Sequence, residues 1–158
     1  MAKAWKVKGI KPQKSYRRNA KVILAVKVEE VFSWAPFIRD VKNVHALHNI
    51  RISVKRLRYS MEFFSIIYGE EFSACIRKLA DLQELLGDIH DCDVIGGLLA
   101  GERQQVEAVE VAGIDALAAR YAAKRAALYR QFLKVWSEKE KTAFKKQLLQ
   151  IIKGKESM

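Results

Sequence analysis

Two prolines, Pro12 and Pro36, are the only residues in 158 that forbid a helical backbone outright, and no stretch alternates apolar and polar residues in the two-residue period of a strand. With eight glycines and a high content of Ala, Leu, Lys and Glu, the chain is directed to an all-α fold. Pro12 precedes a first helix expected over about 14-32, and SWAPFIRD around Pro36 ends it. A second helix is expected from about Val44 to Tyr68, with Gly69 as its C-terminal cap. A third starts at Glu70-Glu71 and lasts to Gly96-Gly97 or shortly beyond, because paired carboxylates suit a helix N-terminus. A long fourth helix follows Gly101, through Ala108 to about Glu138, with Gly113 as a weak point, and a shorter one over about 141-153 closes the chain. Four long helices on short loops predict an antiparallel four-helix bundle with a short additional C-terminal helix.

A chain of this length with 50% hydrophobic residues buries one core, so a single domain over 14-158 behind an N-terminal extension, 1-13, is the expectation. Cys75 and Cys92 form no disulfide framework. On one helix their offset separates them by about 25 Å, which predicts reduced thiols. No apolar run has the length of a membrane span, and the basic N-terminus lacks a signal-peptide core. The chain is accordingly expected to be cytoplasmic and to act without a membrane.

Charge is the functional clue. Residues 1-60 hold 15 Lys/Arg against 3 Asp/Glu, whereas residues 61-158 hold 14 against 15. In the second helix Leu47, Ile50, Val54, Leu57, Met61 and Phe64 share an arc of roughly 100° and predict a buried face. Beside it, His48, Arg51, Lys55, Arg58, Tyr59 and Glu62 fall in a second arc, with Arg56 further round. Like charges at these spacings repel, so they need a partner: carboxylates of the third helix such as Asp81, Asp88 or Asp91, or an external polyanion. In the first helix Lys14, Arg17, Arg18 and Lys21 form another cationic arc, and if the two helices are neighbours their strips border one groove.

LHNIRISVKRLRYSMEFF resembles the signature helix of CHAD domains, the conserved-histidine α-helical domains, in the order His48, Arg51, Lys55, Arg56, Leu57, Arg58, Tyr59, Glu62. LADLQELLGDIHDCDV resembles a second family stretch through Gln83, Leu86, Gly87 and Asp91, and YRRNAKVIL is similar, more loosely, to the family's basic first helix. The resemblance covers about residues 14-135. It implies a non-catalytic module that binds inorganic polyphosphate through basic residues, and so makes Lys14, Arg17, Arg18, Lys21, His48, Arg51, Lys55, Arg56, Arg58 and Tyr59 the expected polyphosphate contacts. Family domains usually comprise two four-helix bundles. A single bundle leads to the expectation that two copies pair as a homodimer to rebuild the groove.

The alternatives are binding to a nucleic-acid phosphate backbone, for which few aromatics offer stacking platforms, and a histidine phosphotransfer bundle using His48. Asp88, His90, Asp91 and Asp93 point around most of a helix circumference, so no metal site is expected, and no cofactor. Asp91 is expected to pair with a basic residue or cap a neighbouring backbone, Gly87 to permit a close helix crossing, and Gln83 to bond across it. No catalytic motif is present, which argues against an enzyme. Arg120, Lys124 and Lys134 share a side of the fourth helix that belongs to a solvated surface or extends the groove. Trp5 and Trp34 have no role legible in the sequence.

Overall fold

A computed structural model describes residues 2-154 and contains five α-helices: α1 (Tyr16–Phe32), α2 (Val44–Phe64), α3 (Glu70–Arg103), α4 (Ala108–Val135) and α5 (Glu138–Lys153). A 3-10 turn, Ser65–Ile67, follows α2, and no strand occurs among the described residues. The all-α class therefore stands.

Most helix starts are written in short polar side chains. Ser15, Asn43 and Ser137 accept the backbone N–H groups of Arg18, Ala46 and Glu140, at 3.2, 3.0 and 3.3 Å, satisfying donors that a helix N-terminus leaves free. Glu107 and Glu110 form a reciprocal capping box at α4. Gly69 differs from expectation. It has extended backbone and sits ahead of α3 as its N-cap, because the 3-10 turn has already ended α2. Gly96 and Gly97 lie inside α3, which runs on to Arg103.

The core face expected of α2 is buried in full, from Leu47 to Phe64. It packs with Leu24, Val28 and Val31 of α1, Leu79, Leu82, Leu86 and Ile89 of α3, and Phe144, Leu148 and Ile152 of α5. α1 lies against α2 and α5, α2 against α1 and α3, and α3 against α2, α4 and α5. The four longest helices thus do not share one set of neighbours. α4 leans chiefly on α3 and contributes only Tyr129 and Phe132 to the core, where the Tyr129 hydroxyl donates to the Ile38 carbonyl at 2.6 Å.

Helix length explains why. Opposed pairs His48/His90, Arg51/Gly87 and Arg58/Gln83 set α2 and α3 antiparallel, so the first residue of α2, Val44, falls near Val94. Beyond it α3 continues with α4 beside it, and no residue from Asp93 to Leu128 is buried. This arm of two helices is tied by ion pairs, Arg125 to Asp93 and Arg103 to Asp115. Cys75 and Cys92 both lie on α3 as buried free thiols, and burial pushes their pKa values up.

Candidate functional site

The residues before α1 are ordered by the seam between α1 and α2. The Ala2 N–H donates to Asn49 at 3.1 Å, the Trp5 N–H to Glu30 at 3.2 Å, and the Lys11 N–H to Asn19 at 3.2 Å. Arg56 seals this strap by donating to the Ala2 carbonyl and to Glu30 Oε1, both at 2.8 Å. Glu30 is fully buried, which by itself raises a carboxyl pKa. The bonds from Arg56 and the Trp5 backbone, with Lys27 beside it, bring the net value below the ordinary range. Arg56, expected as a polyanion contact, is thus committed to an internal carboxylate.

The strap occupies the seam where a groove between the first two helices was expected, and the two cationic strips do not meet across it. On α1, Arg17 faces a hollow of about 710 Å³ that it shares with Tyr68, Gln150 and Lys153 at the α5 end, and the Lys21 ammonium donates to the Lys153 carbonyl. Lys14 and Arg18 are exposed at the same end. The cause is the rotation of α1 about its axis: the α1 residues that face α2 include Tyr16, packed on Phe63 and Phe64, and Glu30, so the basic arc is turned toward α5.

The α2 strip is a site of its own. His48, Arg51, Lys55, Arg56 and Tyr59 line one hollow of about 390 Å³, and Arg51 and Arg58 border a second, of about 440 Å³, with Gln83, Gly87 and four carboxylates of α3. Arg58 donates to Glu62 at 2.9 Å and to Gln83 at 3.2 Å, so Gln83 does bond across the crossing. The neighbour of Gly87 is the Arg51 side chain, whose Nε lies 3.8 Å from where a Cβ would stand. A Cβ there would make ordinary van der Waals contact, so the close helix crossing expected at Gly87 is not what the structure places there. Among the described residues Asp81, Asp88 and Asp91 form no ion pair with these cations, so the pairing expected of Asp91 is not found.

Of five buried side-chain nitrogens without a hydrogen-bond partner among the described residues, two lie on this strip, His48 Nδ1 and Arg51 Nε. Buried polar nitrogens are normally satisfied. His48 packs against His90 with ring centroids 4.8 Å apart. Burial first, then His90 and Arg51, lower the His48 pKa, so the free protein holds this imidazole neutral at pH values where an exposed histidine is partly charged. Tyr59 is flanked by cations, Arg58 at 4.9 Å and Lys55 at 5.8 Å from its ring. Lys55 is exposed, and Lys3, Lys6 and Lys8 of the strap are exposed too.

Other expected features fall elsewhere. Lys134 borders an apolar hollow with Trp136 and Phe144, while Arg120 and Lys124 lie on the arm. No group of three or more His, Cys, Asp or Glu among the described residues is arranged to hold a metal ion, and no helix there is long and apolar enough to cross a membrane. Trp5 takes part in the strap through its backbone, and Trp34 packs edge-on against Phe37.

No curated protein matches this sequence, and no solved structure does. The family model of the CHAD domain matches residues 6–100, more than half of the chain, running from the strap through α1, α2 and most of α3. The matched segment holds the later part of the strap, both cationic strips and the His48–His90 contact, and by it this chain belongs to the CHAD domain family.

Proposed function

We propose that the chain is a non-catalytic module that binds inorganic polyphosphate along the outward strip of α2, through His48, Arg51, Lys55 and Arg58. The observation that carries this reading is the pair of buried nitrogens without hydrogen-bond partners, His48 Nδ1 and Arg51 Nε, on a strip whose exposed neighbour is Lys55. A phosphate chain offers several acceptor oxygens per repeat and about one negative charge, so it satisfies donors and cations together. Arginine presents a planar fork to such oxygens, whereas lysine supplies a mobile charge. Lys3, Lys6 and Lys8 on the strap add to the potential. Lys14, Arg17, Arg18 and Lys21 contribute at longer range from another face, and Arg56 acts by fixing the strap.

A polyphosphate reading fits better than a nucleic-acid one because the strip carries a single tyrosine, Tyr59, and its ring is flanked by Lys55 and Arg58. Competition at equal phosphate concentration distinguishes them, with polyphosphate expected to displace duplex DNA. In calorimetric titrations Arg51→Glu with Lys55→Glu is expected to weaken polyphosphate binding about 100-fold and to reduce the slope of log affinity against log salt by about two. Arg17→Glu with Arg18→Glu is expected to cost less than about fivefold, because exposed charges on another face act only through a screened potential. Equal losses from both pairs, or none from the first, refute the assignment to α2.

Proton linkage supplies an independent check. Anionic phosphate favours imidazolium, while the free site disfavours it, so binding takes up a proton. Affinity is expected to rise as pH falls through the ordinary histidine range and to level off once the free protein is itself protonated. His48→Gln should flatten that profile while leaving the salt slope nearly unchanged.

A further inference from the structure

The second arc of α4 has no neighbour. Its inner stripe, Val111, Ile114, Ala118, Tyr121 and Leu128, is half-buried toward α3. About a third of a turn away lie Val109, Gly113, Ala116, Leu117, Arg120, Ala123, Lys124 and Ala127, all eight exposed, within an arc of roughly 120°. Six of the eight are apolar or glycine, and Val109 and Leu117 are 83% and 42% exposed. A solvated helix normally carries charge on such a face. Gly113 has open space around it and costs helix stability relative to alanine, with nothing in the single chain to offset this.

The order of charges along the stripe identifies its occupant. Glu110 lies at its edge seven residues before Leu117, and Lys124 lies seven residues after it. A two-fold axis through Leu117 therefore sets Glu110 of one chain opposite Lys124 of the other, twice, and stacks Leu117 on its own copy. Gly113 then falls opposite Arg120 of the second chain, where the lack of a side chain lets it lie across the helix. Neither Glu110 nor Lys124 has an ion-pair partner among the described residues, whereas Arg125 and Arg103 on the arm's other sides are already paired. Residues 93-128 carry five acidic against four basic side chains, so two arms meet with little net repulsion while their strongly basic bodies stay at opposite ends.

We infer that this face of α4 is a self-complementary docking surface, on which a second copy of the chain packs antiparallel about Leu117. The stripe runs about 28 Å, one helix wide, which places the contact at the low end of specific interfaces, near ~1,200 Å² in total. Association in the micromolar range is expected. The inference stands apart from polyphosphate binding, since it uses no residue of the α2 strip.

The test is sedimentation of the full chain in 0.15 M salt with no polyanion. The mass is expected to double from 18.1 kDa between low and high micromolar concentration. Leu117→Arg should raise the dissociation constant at least tenfold, and Lys124→Glu should do the same, with recovery when Glu110→Lys is added. Circular dichroism reports whether each variant keeps its helices. Leu117→Cys should give a disulfide-linked dimer under mild oxidation, whereas Ala122→Cys, exposed on the far side of α4, should not. A chain that stays monomeric to 200 µM overturns the inference and leaves the face to a different protein. So does doubling that requires polyphosphate, or equal crosslinking at both cysteines. Loss of polyphosphate binding with dimerisation intact would instead refute only the reading of α2.

Discussion

α2 and α4 flank α3 on different sides, and they differ in what surrounds them. α2 buries one full face and covers a second with the strap and α3, so two of its cations are held in place: Arg56 on Glu30, and Arg58 on Glu62 and Gln83. α4 rests chiefly on α3 and shows a second apolar stripe to solvent. A helix covered on several sides positions side chains and can recognise a ligand by orientation. A helix with one main neighbour has surface left to bury, and what it can recognise is another helix.

The largest effects should separate the two regions by stability. Leu57 is fully buried on α2, and Leu57→Ala is expected to cost about 3 kcal/mol in urea unfolding, through lost transfer energy and the cavity left behind. Glu30→Ala should follow at about 2 to 3 kcal/mol, because it strands Arg56 and removes the acceptor that holds the Trp5 N–H. The carboxyl pKa is lowered in the folded state, so its contribution is present at neutral pH. It is lost as pH falls from the ordinary glutamate range through the folded value. Proteolysis near the N-terminus should accelerate in the variant. If cleavage and stability are unchanged, the strap is not held by Glu30.

A smaller effect tests His48. Its folded pKa is lowered, so above the ordinary histidine range both folded and unfolded chains are neutral there. As pH drops through that range the unfolded chain takes up a proton that the folded chain refuses, and stability declines until the folded value is reached. The melting temperature of the free protein should therefore fall by a few degrees between pH 7 and pH 5.5, and by less in His48→Gln. Added polyphosphate should reduce the decline, since it favours the charged form at the same imidazole. An identical pH profile in the variant would remove His48 from the account.

Periodicity made the core legible: every apolar residue assigned to the inner face of α2 is buried, because a 3.6-residue repeat fixes which side chains point together. The start of α2 at Val44 was readable too, whereas the last helix begins at Glu138 instead of near 141, and the boundaries taken from glycines were displaced at Gly69 and Gly97. The relation between helices was not legible. Whether two basic arcs face one groove depends on the rotation of α1 about its axis, which is set by Tyr16 on Phe63 and Phe64 and by Glu30 on Arg56, contacts that sequence spacing does not encode. The strap escaped notice for a related reason. Its order comes from backbone N–H groups finding Asn49, Glu30 and Asn19, and backbone donors look alike in every sequence.

The smallest expected effect is the most discriminating between the two regions. Leu98 is 63% exposed on α3, beyond the level at which α2 begins, and Leu98→Ala deletes side-chain atoms that already touch water. Unfolding free energy should change by less than about 0.5 kcal/mol, against about 3 kcal/mol for the same substitution at Leu57. Hydrogen exchange should agree. Amides from 97 to 120 are expected to exchange through local opening, well before those of α2 near Leu57, because the arm has few buried contacts to hold it shut. Leu98 also lies off the α4 stripe, so self-association should survive its replacement while Leu117→Arg abolishes it. A large loss of stability at Leu98 would mean that the tail of α3 is covered in solution by something other than the α4 face, and the contrast between a buried front and an open arm would fail.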